Sequence, residues 1–168
     1  SLSVGAMASA QEVQIVEHET FDYQGAYEKF SPDDVVFTIA GAEVSWQEYF
    51  SWIYNVVMQY EMYYGAQDIW DAPSEDSYGT MEASFKAYAE LISSRYAFVT
   101  AEAARLGVEL SEEDIAGIDA AYNSDAEYYT SNGIDNFEDF LKETYMDEEY
   151  YRYIIAAQYH YRNLFVNA

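Results

Sequence analysis

The chain has 168 residues, the length of one domain or of one domain with a tail. Its 7 Lys and Arg stand against 31 Asp and Glu, a formal charge of −24. That balance argues against nucleic acid, whose phosphates nothing here could neutralise, and against a bare anionic membrane surface. Hydrophobic residues at 51% and aromatics at 18% argue against intrinsic disorder, and the lack of cysteine excludes disulfides, thiol catalysis and Cys-type zinc sites.

Residues 1–10 are small and weakly apolar and end in Ala8-Ser9-Ala10, after which Gln11-Glu12 opens acidic sequence. Small side chains three residues and one residue before a cut are what signal peptidase accepts, so the stretch reads as a signal-peptide remnant removed before Gln11. A vector-derived or flexible tail fits the same residues. The first reading implies an exported protein, in the cell envelope, periplasm or outside. No stretch approaches the roughly 18 apolar residues of a membrane span, so direct membrane insertion is not expected.

Residues 11–34 show no period and are expected to form an extended or poorly ordered lead-in. The β-branched run Val35-Val36-Phe37-Thr38-Ile39 predicts a strand, stopped by a tight turn at Ala40-Gly41. Ser45-Trp46-Gln47-Glu48 is a capping box, with hydroxyl and carboxylate each reaching the other residue's amide. A first helix follows from Trp46 to Tyr64, with Trp46, Tyr49, Phe50, Ile53, Val57, Tyr60 and Tyr64 as its apolar stripe, and Gly65 ends it. Residues 66–79, with Pro73 and several Asp, Ser and Glu, are loop.

The second helix runs from Thr80 to Leu106, with Met81, Phe85, Tyr88, Ile92, Tyr96, Val99, Ala103 and Leu106 as the expected inner face. Ser111 with Asp114 caps a third, turning Ile115, Ile118, Tyr122 and Tyr129 inward and ending at Ser131-Asn132-Gly133. Asn136 caps a short fourth carrying Phe137, Phe140 and Leu141. Asp147 caps the fifth, in which Tyr151, Ile154, Ile155, Gln158, Arg162 and Phe165 share a face. The predicted fold is all-α: about five helices with short connections, long central helices and one short N-terminal strand. No repeat of 20 to 50 residues points to a solenoid.

Chemistry is sparse. Glu112-Glu113-Asp114 and Asp147-Glu148-Glu149 could ligate a cation, but each falls in a helix's first turn, where the dipole and free amides favour carboxylates. Neither matches an EF-hand loop, and no metal or cofactor is expected. Carboxylate pairs for glycoside hydrolysis can be drawn anywhere among 31 acids and so indicate nothing. His18 and His160 read as surface or packed residues; there is no G-x-S-x-G elbow, Walker loop or G-x-G-x-x-G.

Tyrosine is the distinctive feature, with 19 Tyr beside 9 Phe and 3 Trp but only six Leu. Tyr60, Tyr63 and Tyr64 cluster at one helix end, Tyr128 and Tyr129 at another, and Tyr150, Tyr151, Tyr153, Tyr159 and Tyr161 cover several faces of the last helix. Two uses fit this tyrosine content, leucine's work in the core and water-tolerant contact area for a partner; different tyrosines can do each.

The order of these signals resembles a known family. Val36 to Ser45, Val-Phe-Thr-Ile-Ala-Gly-Ala-Glu-Val-Ser, is similar to the V-x-x-V-N-G-x-x-I-T opening of the SurA-like N-terminal chaperone domain of exported parvulin-type peptidyl-prolyl isomerases, with Ala40 in place of Asn. Ala101 to Ile115 resembles that domain's A-x-x-x-G-[IV]-x-[VL]-[ST]-x-x-[DE]-[IV] link between central helices. Asn136 to Leu141 and Met146 to Arg152 resemble its F-x-x-x-L…G-[ML]-[ST]-x-E-x-[LY]-R pair, with Tyr145 where Gly is common. The resemblance spans about Asp34 to Phe165.

It implies a SurA N-terminal, trigger-factor C-terminal-like helical domain over residues 35–168, belonging to an exported folding factor that holds unfolded clients. It also implies that an isomerase domain, where present, follows the last helix. No parvulin catalytic residue has a counterpart in residues 1–168, so isomerase activity is not expected of this polypeptide. The chain is therefore expected to bind unfolded or extended polypeptide, against Trp46, Tyr49, Tyr60, Tyr63, Tyr64, Tyr151 and Tyr159, with the acidic exterior steering basic clients. The rivals are the N-terminal part of a parvulin isomerase and a cell-surface module for carbohydrate or protein.

Overall fold

A computed structural model describes residues 21–65, 70–75 and 79–166. The elements in chain order are helix α1 (Tyr23–Tyr27), strands β1 (Val35–Ile39) and β2 (Ala42–Ser45), and helices α2 (Trp46–Tyr64), α3 (Met81–Leu106), α4 (Glu112–Ser131), α5 (Phe137–Glu143) and α6 (Glu148–Phe165). The protein is mostly helical, with six helices and one two-stranded antiparallel sheet among the described residues.

Helix boundaries follow their caps. Ser45 and Glu48 form the reciprocal pair at α2, as Ser111 and Asp114 do at α4. Thr80, Asn136 and Asp147 accept from backbone amides at the starts of α3, α5 and α6. These contacts satisfy donors that a helix start leaves without an internal partner.

The N-terminal region departs from expectation twice. The single predicted strand is a hairpin, with Phe37 opposite Val44 and Ile39 opposite Ala42. Ala40 and Gly41 make its two-residue loop, both at positive φ, as a turn that matches the strands' twist requires. The lead-in from Phe21 to Asp34 is folded and docked, while residues 11–20 lie outside the described part. Asp22 caps the five-residue α1. The Trp46 indole N–H donates to the Tyr27 carbonyl at 2.8 Å. The amides of Trp46 and Gln47 donate to the Asp34 and Pro32 carbonyls, which ties the lead-in to the first turn of α2.

The interior consists of two clusters. Ile53 and Val57 of α2 pack on Phe85 and Ala89 of α3. Ile118 and Tyr122 of α4, Phe137 and Leu141 of α5, and Met146 join Tyr150, Ile154 and Ile155 of α6 in the other. Helix α3 serves both sides, because it packs on α2 and on α6. Beyond Phe85, its most buried line is accordingly made of small residues, Ala89, Ser93, Ala97 and Ala103, which let neighbouring helices approach closely. The expected inner residues Tyr88 and Leu106 lie exposed instead, as do Ile115 on α4 and Gln158 and Phe165 on α6.

Candidate functional site

Two surface regions concentrate aromatic side chains. The first is a cavity of about 400 Å³ at the junction of the lead-in, α2 and the start of α3. Its walls are Phe21, Tyr23, Phe30, Trp46, Phe50 and Trp70. Local structure explains how residues so far apart in sequence meet. The indole hydrogen bond from Trp46 holds α1 over α2. The amides of Met81 and Glu82, free at the start of α3, donate to the carbonyls of Ala72 and Trp70, so satisfying the α3 terminus folds the preceding loop across the opening. Ring pairs then fix the walls: Phe21 to Trp70 and Phe21 to Tyr23 at 4.9 Å, Phe30 to Trp46 at 5.0 Å, and Trp46 to Phe50 at 5.1 Å. Lys29, Glu82 and Lys86 are the charged residues of the lining among the described residues.

The second region lies on α3 and α6. Tyr88, Leu91, Phe98 and Leu106 are between 39% and 56% exposed, and their spacing places them along one outward stripe of α3. Beside it, Arg95, Tyr96 and Val99 face Ala157, Gln158 and Tyr161 across a cleft of about 200 Å³. Tyr161 and Phe165 continue the apolar surface along α6, their rings 5.2 Å apart. Arg95, at the centre of this face, has no ion-pair partner among the described residues.

The residues nominated from sequence do not form one surface. Trp46 lines the cavity and carries the Tyr27 hydrogen bond. Tyr49 is half-buried against Phe37 and Trp46, and burial pushes its phenol up to about 12. Tyr60 packs between Tyr64 and Phe85. Tyr63 and Tyr64 are exposed at the end of α2, next to exposed Met62. Tyr151 is half-buried against Tyr122 and Phe137 and donates its hydroxyl to Asp125 at 2.7 Å, with its phenol raised chiefly by burial. Tyr159 lies under the Arg162 guanidinium, 4.6 Å from ring centroid to guanidinium carbon, and against Gly117.

The acidic groups at helix starts act locally. Asp114 is buried, accepts from the Ser111 amide, and takes hydrogen bonds from Asn163 and Arg162 of α6. These contacts, led by Asn163, hold its carboxyl below the usual range. No group of three or more His, Asp or Glu among the described residues could hold a metal ion. His160 is packed rather than free: its Nδ1 is buried without a hydrogen-bond partner among the described residues, and burial lowers the imidazole's pKa. His18 lies outside the described residues. No described helix is long and apolar enough to cross a membrane.

Sequence reasoning missed Phe21, Lys29, Trp70 and Lys86 at the cavity and the outward stripe on α3. The stripe had a signal, since Leu91 and Phe98 keep a helical spacing separate from the face assigned to the core. The cavity had none, because its lining depends on how the lead-in and the 70–75 loop fold back. No family model matches the chain, and neither a known protein nor a solved structure is similar enough to it to count as a match.

Proposed function

We propose that this protein is a polypeptide-binding module of an exported folding factor, a SurA-like chaperone domain that holds unfolded or extended clients. The observation that carries the reading is the outward apolar stripe Tyr88–Leu91–Phe98–Leu106, continued by Tyr161 and Phe165 on α6. A helix face of this kind has no use in a closed bundle and is a common basis for recognition of other chains. Tyr63 and Tyr64 at the end of α2 add a second exposed aromatic group. The hairpin leading into a long capped helix also agrees with the motif order of that family. Charge supports the same use: at −24 the surface repels its own copies and attracts basic clients from a distance, an effect that salt weakens.

The test is suppression of aggregation of a chemically denatured basic protein. The parent chain should suppress it. Replacing Tyr88, Leu91 and Phe98 by Ser should remove most of that effect, and replacing Tyr63 and Tyr64 by Ser should remove a smaller part. All these positions are exposed, so the variants should keep the parent's helical circular-dichroism spectrum. A parent chain that does not suppress aggregation at any molar ratio removes the assignment.

A further inference from the structure

The aromatic cavity gathers positive charge on an otherwise strongly acidic molecule. The chain has three lysines, Lys29, Lys86 and Lys142, against 31 acidic residues, and two of the three line this one opening. Glu82 is the only acidic residue among the described residues of the lining, and its carboxylate is 2.6 Å from the Lys86 ammonium, so these two charges cancel. Lys29 has no ion-pair partner among the described residues. The described residues of the lining therefore carry one net positive charge on a molecule of −24.

The walls are equally definite. Phe21, Trp46, Phe50 and Trp70 present ring faces and edges, and Ile53 adds an aliphatic floor. A volume of about 400 Å³ lies within the usual range for small-molecule sites, roughly 300 to 1,000 Å³. Aromatic walls alone would also suit a quaternary ammonium, through attraction to the ring faces. The Lys29 ammonium in the lining, unpaired among the described residues, opposes that choice. The field of the whole molecule also attracts cations, so a preference for an anion could arise only from the local lysines.

We propose that this cavity binds a small organic carboxylate with an apolar or aromatic body. The body lies among Phe21, Trp46, Phe50 and Trp70, and the carboxylate meets the Lys29 ammonium. This site goes beyond the polypeptide-binding reading, since it uses none of the residues of the α3–α6 face and stands or falls separately from it.

Three probes of one shape separate body from charge: 4-phenylbutanoate, 4-phenylbutan-1-ol and 4-phenylbutylammonium, titrated calorimetrically into the full chain at low ionic strength. The carboxylate should bind about fivefold more tightly than the alcohol, the span of a partly exposed ion pair, and the ammonium more weakly than either. Lys29→Met should bring the carboxylate down to the alcohol and leave the alcohol unchanged. Glu82→Gln releases Lys86 and should tighten the carboxylate further. Lys29 is exposed and Glu82 partly so, and the unchanged alcohol affinity shows that each variant keeps its cavity. The proposal is overturned if the ammonium binds as tightly as the carboxylate, if the carboxylate keeps its advantage in the Lys29→Met, Lys86→Met double variant, or if no probe binds the parent chain.

Discussion

The Tyr159 hydroxyl of α6 occupies the position where a β-carbon on Gly117 of α4 would stand. Glycine at this point in a helix forfeits about 1 kcal/mol of helix propensity relative to alanine, and its use here lets the phenol cross α4 at close range. Gly117→Ala should therefore destabilise the parent by about 1 kcal/mol, because overpacking outweighs the propensity gain. In a Tyr159→Ala background the same change should stabilise by about 1 kcal/mol. Urea denaturation of the four proteins measures this change of sign; additive effects would show that the two side chains do not compete for space.

The hairpin loop invites the opposite kind of change. Ala40 sits at φ 50°, a conformation that costs a β-carbon-bearing residue strain and that asparagine tolerates best. Ala40→Asn should raise stability by about 0.5 to 1 kcal/mol, read as a higher denaturation midpoint at unchanged slope. Tyr145, at φ 61°, should behave differently. Its ring packs on Tyr27, Phe50 and Tyr54 at 4.9, 4.8 and 5.2 Å. Tyr145→Gly would relieve the backbone yet lose that packing, with a net cost of about 2 kcal/mol or more.

His160 sets a pH dependence. Burial lowers its imidazole pKa, and the Asp114 carboxylate opposes this with a smaller upward pull. Below about pH 6.5 the unfolded chain then takes up more protons here than the folded one, so stability falls as the solution is acidified from about pH 7 to 5. His160→Gln should flatten that slope. Asp114 does not contribute in this window. Its folded pKa is depressed, so its stabilisation is present above the unfolded value of about 3.9 and is lost only as pH falls through the lower folded value. Equal urea midpoints at pH 5 and 7 in the parent would refute the assignment to His160.

Much of the helical framework was legible because helix punctuation is local. The Ser45–Glu48 and Ser111–Asp114 pairs, and the caps at Asn136 and Asp147, need only three residues of context, and the helix starts fall where those signals are. Strand β2 was not legible, because Ala42 to Ser45 is four residues long and merges into a capping box. Helix α1 was hidden for a similar reason: five residues cannot display a period, and its folding depends on Trp46, far along the chain. The core face of α3 was legible at Phe85 and Ala103, which are buried, and misread at Tyr88 and Leu106, which are exposed. Packed on both α2 and α6, this helix buries alanine and serine along with Phe85 and turns Tyr88 and Leu106 outward. The nominated tyrosines were separated for the same reason, since the sequence shows how many rings exist but not which ones the tertiary contacts consume.

One hydrogen bond spans the two halves of the interior. The Trp52 indole donates to the Tyr150 hydroxyl at 2.8 Å, and Trp52 also packs against both hydrophobic clusters. Tyr150 is buried, so Tyr150→Phe leaves the indole N–H without its acceptor and should cost about 1 to 2 kcal/mol. Thermal denaturation of this variant should also be less cooperative than that of the parent.

An interior built as two nuclei around a shared rod gives the molecule a built-in seam. On the side of α1, the hairpin and α2, the apolar nucleus is the smaller of the two. Amide protons there should exchange first, while α4, α5 and α6 keep theirs. The portion that carries the aromatic chamber is thus the part expected to loosen first, while its neighbour stays folded.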